Sequence, residues 1–224
     1  MADHQRISIT TRSGKVRVTG APTEQVSIIG GSGVMNDEGV LEIRRESDSD
    51  RIEVTCPSGT DVTIGTTSGN VETHGFLGLV RILTVSGKIE VAGAARLEIR
   101  TKSGKVDVQA CEGDCNVVTT SSKVHIGTAG KCRVSAVSGV VLLEHVSGAE
   151  VKTVSGKVLL GTSGAGDVMV KTVSGKVEIR VPSEVKPATH LNSVSGKVQC
   201  DCEPGDDGTI AVKSLSGGIR LSCA

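Results

Sequence analysis

Aromatic side chains are almost absent from this chain of 224 residues, which contains no tryptophan, no tyrosine and a single phenylalanine, Phe76. Most domains of this size fill a globular core with several aromatic rings, so we expect a thin core of Val, Ile and Leu. Flat rings also supply the surfaces on which unpaired bases stack. Their absence argues against a specific nucleic-acid partner and against the usual kind of sugar-binding surface.

The chain also lacks an excess of either charge, and it has no long apolar run. Its 25 basic and 25 acidic side chains give a formal net charge of zero, and no long block of one sign points to nucleic acid. No apolar run reaches the roughly 18 residues of a membrane-spanning helix, and the N-terminal residues lack the basic and apolar regions of a signal peptide. We therefore expect a cytoplasmic protein without a membrane partner.

What the sequence does contain is a short motif, Ser-Gly followed by Lys-Val-x-Val or a close variant, that recurs ten times. The copies begin at Ser13, Ser68, Ser86, Ser103, Ser121, Ser138, Ser155, Ser174, Ser195 and Ser216, and from Ser68 onward they are 17 to 21 residues apart. A fixed period is typical of solenoid proteins. Each copy reads as an alternating strand, a Ser-Gly corner and a second alternating strand.

The apolar positions of these copies form columns. Three residues after each serine the side chain is always Val or Ile, from Val16 in the first copy to Ile219 in the last. Such columns arise when copies stack, in the order of the sequence, as in-register parallel strands about 4.8 Å apart. We therefore predict an all-β fold, a single-stranded parallel β-solenoid (β-helix) with two strands in each rung of 17 to 21 residues. Parallel crossovers are overwhelmingly right-handed, which favours a right-handed winding.

Residues 20–66 depart from the repeat and have turn-like interruptions between short apolar runs. Solenoids expose an unpaired strand edge at each end and usually need a cap. We predict that residues 1–65 form an N-terminal β segment that starts and caps the solenoid, and that residues 66–224 form one continuous repeat body. The chain ends on a strand, GGIRLSCA, that has no evident cap.

Two outward columns are candidate binding surfaces. Two residues after the serine, a lysine recurs that could bind an anionic polymer or simply keep the corner solvated: Lys88, Lys105, Lys123, Lys157, Lys176 and Lys197. Directly before the serine, the later copies carry an aliphatic residue, which predicts a contiguous apolar strip of the kind that marks contact surfaces: Val137, Val154, Val173, Val194 and Leu215. Self-association through this strip or through the terminal strands, or contact with another protein, is the partner hypothesis.

Inward polar positions read as structural. A threonine column that includes Thr84, Thr101 and Thr172 is expected to form an internal hydroxyl ladder at the corners. The seven cysteines are an odd number without paired CxxC motifs, which favours buried thiols over a secreted disulfide framework. Two pairs share a column and are expected to be close enough to oxidise, namely Cys115 with Cys132 and Cys202 with Cys223. No metal or other cofactor is indicated.

No arrangement of residues points to catalysis. The histidines lie at different offsets of the repeat, and there is no nucleophile motif or phosphate-binding loop. The nearest approach to an active site is an outward set formed by Glu90, Asp107, His125 and Arg133. A carbohydrate-active β-helix enzyme is therefore the alternative hypothesis, and it predicts a groove with clustered carboxylates on one outer sheet. A non-enzymatic interaction module is favoured.

The phrases TVSGKIEV, TVSGKVLL and TVSGKVEI, together with ISITTRSGKVRVTG and RIEVTCPSGTDVTIGTTSGNVET, resemble the bacterial putative-adhesin family, a β-repeat domain of unknown function. The resemblance covers nearly the whole chain. It implies a β-repeat scaffold that works through interaction rather than catalysis. A weaker similarity is to the bactofilins, and it implies polymerisation end to end.

Overall fold

The computed structural model describes residues 6–45, 50–164 and 166–223, and within them it contains strands, turns and bends but no helix. The chain divides into two compact units, the first ending at Gly113 and the second beginning at Asp114. No helix of the described residues is both long enough and apolar enough to cross a membrane.

Unit 1 contains eight strands. They are β1 (Arg6–Thr10), β2 (Ser13–Ala21), β3 (Ser27–Ile29), β4 (Gly31–Met35), β5 (Val40–Arg45), β6 (Arg51–Pro57), β7 (Asp61–Ser86) and β8 (Lys88–Cys111). Unit 2 contains seven, and β9 is long because it continues around several corners. They are β9 (Cys115–Thr162), β10 (Val168–Ser174), β11 (Val177–Val181), β12 (Ala188–Ser193), β13 (Val198–Cys200), β14 (Thr209–Ser214) and β15 (Ile219–Cys223).

Parallel in-register pairing between copies confirms the predicted β-solenoid with two strands in each rung. In unit 1, Val16 lies opposite Val71, and Val71 lies opposite Ile89. In unit 2, Val177 lies opposite Val158. Equivalent apolar side chains therefore stack directly on one another, as the columns require. The winding sense stays a prediction.

The order of rungs in unit 1 differs from the order of the sequence. β1 pairs in parallel with both β5 and β7, and β2 pairs in parallel with both β6 and β7. The first rung, β1 with β2, therefore lies between the rung β5/β6 and β7. Two antiparallel strands border the outer rung, since β4 pairs with β5 and β3 pairs with β6.

In unit 2 the rungs are likewise stacked out of sequence order, at the C-terminal part of the chain. The expectation that copies stack in the order of the sequence up to an uncapped last rung is therefore wrong. β14 pairs with both β10 and β12, and β15 pairs with both β11 and β13. The last rung, β14 with β15, therefore lies inside the stack. The edge of unit 2 is formed by the preceding rung, β12 with β13.

The core is the pair of inward columns that the sequence pattern identified. Within unit 2, Val124, Val158 and Val177 are fully buried. The same column ends at Val198, whose exposure is 40% because no rung covers β13 on its outer side. Burial of the column therefore depends on a neighbour on both sides of each rung.

Glycine and threonine together make the corners possible. Gly139 and Gly175 have positive φ angles of 121° and 138°, a region that disfavours residues with a Cβ. A Cβ at Gly175 would also collide with the carbonyl oxygen of Gly156. At several corners the predicted internal hydroxyls are seen, because buried threonines donate to the backbone carbonyl two residues later. Examples are Thr84 to Ser86 O (3.1 Å), Thr101 to Ser103 O (3.0 Å) and Thr172 to Ser174 O (3.2 Å).

Candidate functional site

The apolar strip, defined as Val137, Val154, Val173, Leu215 and Val194, is exposed in the structure. The exposed fractions are 48%, 49%, 46%, 54% and 75% in that order. All five residues are in unit 2, and each directly precedes a Ser-Gly corner. Because side chains alternate along a strand, they point away from the core. The residue before each of them points inward, and it is a threonine or serine in the last four copies, namely Thr153, Thr172, Ser193 and Ser214.

Strand pairing sets the order of the strip. Thr172 lies opposite both Thr153 and Ser214, so Val173 is next to Val154 on one side and Leu215 on the other. Ser193 lies opposite Ser214, which places Val194 beyond Leu215. With strands about 4.8 Å apart, five successive rungs give a strip roughly 19 Å long.

A lysine column runs parallel to the apolar strip, two residues nearer the start of each strand. Its members are Lys152, Lys171 and Lys213, which lie opposite one another across β9, β10 and β14. Lys152 forms an ion pair with Glu150 at 2.6 Å. Lys171 and Lys213 have no ion pair with any residue that the structure describes. The strip therefore has an apolar ridge and a cationic border.

The lysines that follow the corners behave differently. Four of the six candidates have carboxylate partners: Lys88 with Glu90 (2.6 Å), Lys105 with Asp107 (2.7 Å), and Lys157 and Lys176 both with Glu178. Lys123 and Lys197 form no ion pair among the described residues. These pairs neutralise much of the positive charge on which attraction of an anionic polymer depends. Binding of such a polymer stays a prediction.

An open groove of about 660 Å³ lies on the outer face of the second strands of unit 2. Leu142 and Leu159 are part of its apolar lining, and the carboxylates of Glu144 and Glu178 border it. Glu144 is 3.0 Å from Nε2 of His125. A hydrogen bond from Lys176 holds the pKa of the Glu178 carboxyl below its usual range. The general acid of a glycosidase needs a raised pKa, so this ion-paired carboxylate is poorly suited to that role.

The other residues of the hypothetical catalytic set are likewise engaged in surface ion pairs. Glu90 pairs with Lys88, Asp107 with Lys105, and Arg133 donates to Glu150 over 3.0 Å. Within the described residues no three His, Cys, Asp or Glu side chains converge on a position that could hold a metal ion. The apolar strip is therefore the strongest candidate site of unit 2.

Comparison with known proteins agrees with this architecture. The family model described as Toastrack DUF4097 matches residues 38–220, which is most of the chain. The chain belongs to the Toastrack DUF4097 family. None of the curated proteins compared with this Toastrack chain matches it.

Solved structures resemble the Toastrack chain in fold at low sequence identity. A protein from Bacteroides fragilis NCTC 9343, described as a putative adhesin, is 13% identical, with a TM-score of 0.54 over 97% of this chain and 92% of that chain. A protein from Clostridium sporogenes ATCC 15579, described as a putative cell adhesion protein, is 10% identical, with a TM-score of 0.27 over 100% of this chain and 94% of that chain. The first supports the shared fold.

Only one of the two predicted cysteine pairs of the Toastrack chain forms a disulfide among the described residues. Cys202 and Cys223 form a disulfide with a Cα–Cα distance of 5.2 Å, which confirms that this pair lies close together. Cys115 and Cys132 are buried and form no disulfide among the described residues, and Cys200 is an exposed thiol. The bond links the end of β13 to β15, so it joins the edge rung to the inserted last rung.

Sequence reasoning missed two features of this surface. Met169, with an exposure of 42%, lies on the same outer face of β10 as Val173, four residues earlier. An exposed methionine in the alternating pattern could have been noticed. The exposure of Val198 could not have been predicted from the sequence, because its position in the repeat is identical to that of buried valines.

Proposed function

We propose that this chain is a non-enzymatic, adhesin-like scaffold that binds other proteins, including further copies of itself, and that the apolar strip is its main protein-binding surface. The observation that carries the proposal is the alignment of five aliphatic side chains, 46% to 75% exposed, directly before successive Ser-Gly corners of one unit. Exposed apolar residues that occur singly need no explanation, whereas a contiguous set indicates a contact surface.

The energy available from the strip is sufficient for specific binding. Complete burial of a valine or leucine side chain is worth about 1.5–3 kcal/mol, and four of the five strip residues are already about half buried, whereas Val194 is 75% exposed. Covering the remaining surface therefore contributes about 1 kcal/mol for each residue, or about 5 kcal/mol for the strip. The lysine border adds selectivity for partners with acidic side chains beside an apolar patch.

The fold shared with the Bacteroides fragilis protein described as a putative adhesin supports an interaction role. The absence of aromatic anchors favours a protein surface over a membrane surface as the partner, since tryptophan and tyrosine are the residues that typically sit at a membrane interface. A rigid row of side chains on a solenoid is also a common way to build an extended binding surface.

Photo-crosslinking from the strip tests this proposal. A diazirine amino acid of aliphatic size is incorporated at Val154 in one sample and at Leu83, which is 42% exposed in unit 1, in the control. We expect adducts of one or a few discrete masses from position 154 and none of the same masses from position 83. Identical adduct patterns from both positions, or no adduct from position 154, would refute the strip as the binding surface.

A matched pair of double variants measures the contribution of the strip to binding of the crosslinked partner. Val154→Ser with Val173→Ser removes two strip residues, while Ile29→Ser with Leu83→Ser removes two exposed aliphatic residues of unit 1. Loss of about 2 kcal/mol corresponds to a roughly thirtyfold weaker dissociation constant. We expect this loss for the strip variant only, measured by calorimetry or biolayer interferometry.

A further inference from the structure

The edge rung of unit 2 exposes part of the solenoid core. Among the described residues β12 pairs only with β14, and β13 pairs only with β15. The inward residue Val198 is 40% exposed, whereas Ile219, opposite it on β15, is 2% exposed. Cys200, the next inward residue of β13, is exposed, while its opposite residue Leu221 is fully buried. The end of the stack therefore presents apolar core together with unpaired strand edges.

The outer rung of unit 1 shows what a covered end looks like. Its inward residues Ile43 and Ile52 are fully buried, and the antiparallel strands β3 and β4 lie beside it. No comparable strand borders β12 or β13 in the described residues. Unpaired edges of this kind are templates for pairing with another chain.

Two hydrogen bonds define which backbone groups of β13 are free. The N–H of Ile219 donates to Lys197 O at 2.9 Å, and the N–H of Asp201 donates to Leu221 O at 3.0 Å. Because N–H and C=O groups alternate between the two sides of a strand, the backbone groups of Val198 and Cys200 point toward the open edge. The edge of β13 thus offers two donors and two acceptors.

We infer that a second copy of this chain covers the end, with β13 of one copy pairing antiparallel to β13 of the other around a two-fold axis at Gln199. In this register Val198 of each copy lies opposite Cys200 of the other. Residues paired in this way exchange both of their N–H···O bonds, so all free backbone groups of the two edges are satisfied. The inward side chains of the two ends meet in one continuous core.

Charge complementarity selects this register. The outward side chain of Lys197 in each copy lies opposite Asp201 of the other copy, which gives two symmetric cross-strand ion pairs. Both side chains are exposed, and neither has an ion-pair partner among the described residues. A register shifted by one residue would turn the free backbone groups away from each other. A shift by two would place Lys197 opposite Gln199 in one direction, and in the other opposite Glu203, which lies beyond β13 and already forms an ion pair with Lys186.

The two-fold axis relates both strands of the edge rung, β12 and β13, to their counterparts in the second copy. β12 and β13 are consecutive strands of one rung, so the axis that joins the two β13 strands also brings β12 of one copy to the edge of β12 of the other. A C2 contact of this kind closes on itself and yields a dimer rather than a filament. Leu191, the half-buried inward residue of β12, is covered at the same time.

This inference deepens the self-association part of the proposed function, but it is tested separately from the apolar strip. Sedimentation equilibrium of the chain without reductant is expected to show a monomer–dimer equilibrium. Lys197→Glu places a glutamate of each copy opposite Asp201 of the other, so that two repulsive pairs replace the two ion pairs. We expect the dissociation constant of the dimer to rise about tenfold or more. The double variant Lys197→Asp with Asp201→Lys restores opposite charges, and its dissociation constant should return to within about threefold of the original.

Disulfide trapping tests the register directly. Paired residues of this type are about 5.5 Å apart between Cα atoms, which is inside the range that a disulfide tolerates. Val198→Cys is therefore expected to form a covalent dimer with Cys200 of the second copy under mild oxidation. The control, Val198→Cys with Cys200→Ser, has no thiol opposite the introduced cysteine in this register and should remain monomeric on a non-reducing gel.

Each outcome decides the inference. A monomer at all concentrations, a series of larger oligomers, or a dimer that is insensitive to Lys197→Glu and not trapped by Val198→Cys would overturn it. If instead Val154→Ser with Val173→Ser abolishes the dimer while the Lys197 variant does not, copies associate through the apolar strip. In that case the end-to-end contact is refuted while the proposed function stands.

Discussion

The disulfide between Cys202 and Cys223 is expected to hold the edge rung of unit 2 against the last rung. It joins residues 21 positions apart, so the closed loop contains both the long corner after β13 and the whole of β14. A cross-link over about 20 residues removes close to 11 cal/mol/K of loop-closure entropy from the unfolded chain, which amounts to about 3 kcal/mol at 25 °C. The double variant Cys202→Ser with Cys223→Ser should be destabilised by about that amount.

The perturbation is measured by urea unfolding followed by far-ultraviolet circular dichroism, because the chain has no tryptophan to report by fluorescence. Cys200→Ser is the matched control, since Cys200 is an exposed free thiol two residues from Cys202. It should unfold like the unmodified chain. Adding a dithiol reductant should lower the stability of the unmodified chain and leave the double variant unchanged.

Hydrogen exchange locates the effect. In the double variant, amides of β12 and β13 should exchange faster than in the unmodified chain, while those of β10 and β11 should change less, because the bond ties only the edge rung to the last rung and the edge rung pairs with no other described strand. If the double variant and the unmodified chain differ by less than about 0.5 kcal/mol under oxidising conditions, the bond does not constrain this end and the reasoning is refuted.

Three further predictions follow from the corners, the core and the charges. Gly175→Ala should cost about 2 kcal/mol or more in urea unfolding, since the positive φ and the carbonyl of the neighbouring rung both oppose a Cβ, while Gly218→Ala, with room for a Cβ, should cost much less. Val177→Ala should cost about 2 kcal/mol and Val198→Ala less than about 1 kcal/mol in the same assay, because the first is fully buried and the second is not; equal losses would contradict the assignment of the edge rung. A hydrogen bond from Lys15 lowers the pKa of Glu72. The stabilisation that the ionised Glu72 provides is therefore complete above about pH 5 and is lost as the pH falls through about 4 and below. Glu72→Gln should flatten the fall of the melting temperature in that range.

The columns show how far sequence reasoning reaches. Val16, Val71 and Ile89 could be assigned to one buried stack because a side chain three residues after a tight corner has only one side of the strand to occupy. The apolar strip follows from the same alternation, since a valine directly before the serine must face outward. These are local consequences of a period of two and of a glycine corner.

The choice of neighbours could not be read in the same way. Every copy carries aliphatic side chains at the same inward positions, so the rung β14/β15 fits beside β10/β11 as well as the rung β12/β13 would. The one signal was the spacing, because the last two steps between copies are each 21 residues, whereas the earlier steps from Ser68 onward are 17 to 19 residues. The longer corners after β11 and β13 supply the chain needed to step over one rung and to return.

The amino-acid sequence by itself determined how each rung bends, which side chains it buries and which it shows to solvent, because those properties depend on residues close together in the chain. Only the tertiary structure decided the order in which the rungs stack within each unit, and with it the exposed edge of β12 and β13. Stacking energy depends on contacts between copies that are nearly equivalent, so the pattern allows several orders, and the one adopted by the structure brings Cys202 beside Cys223.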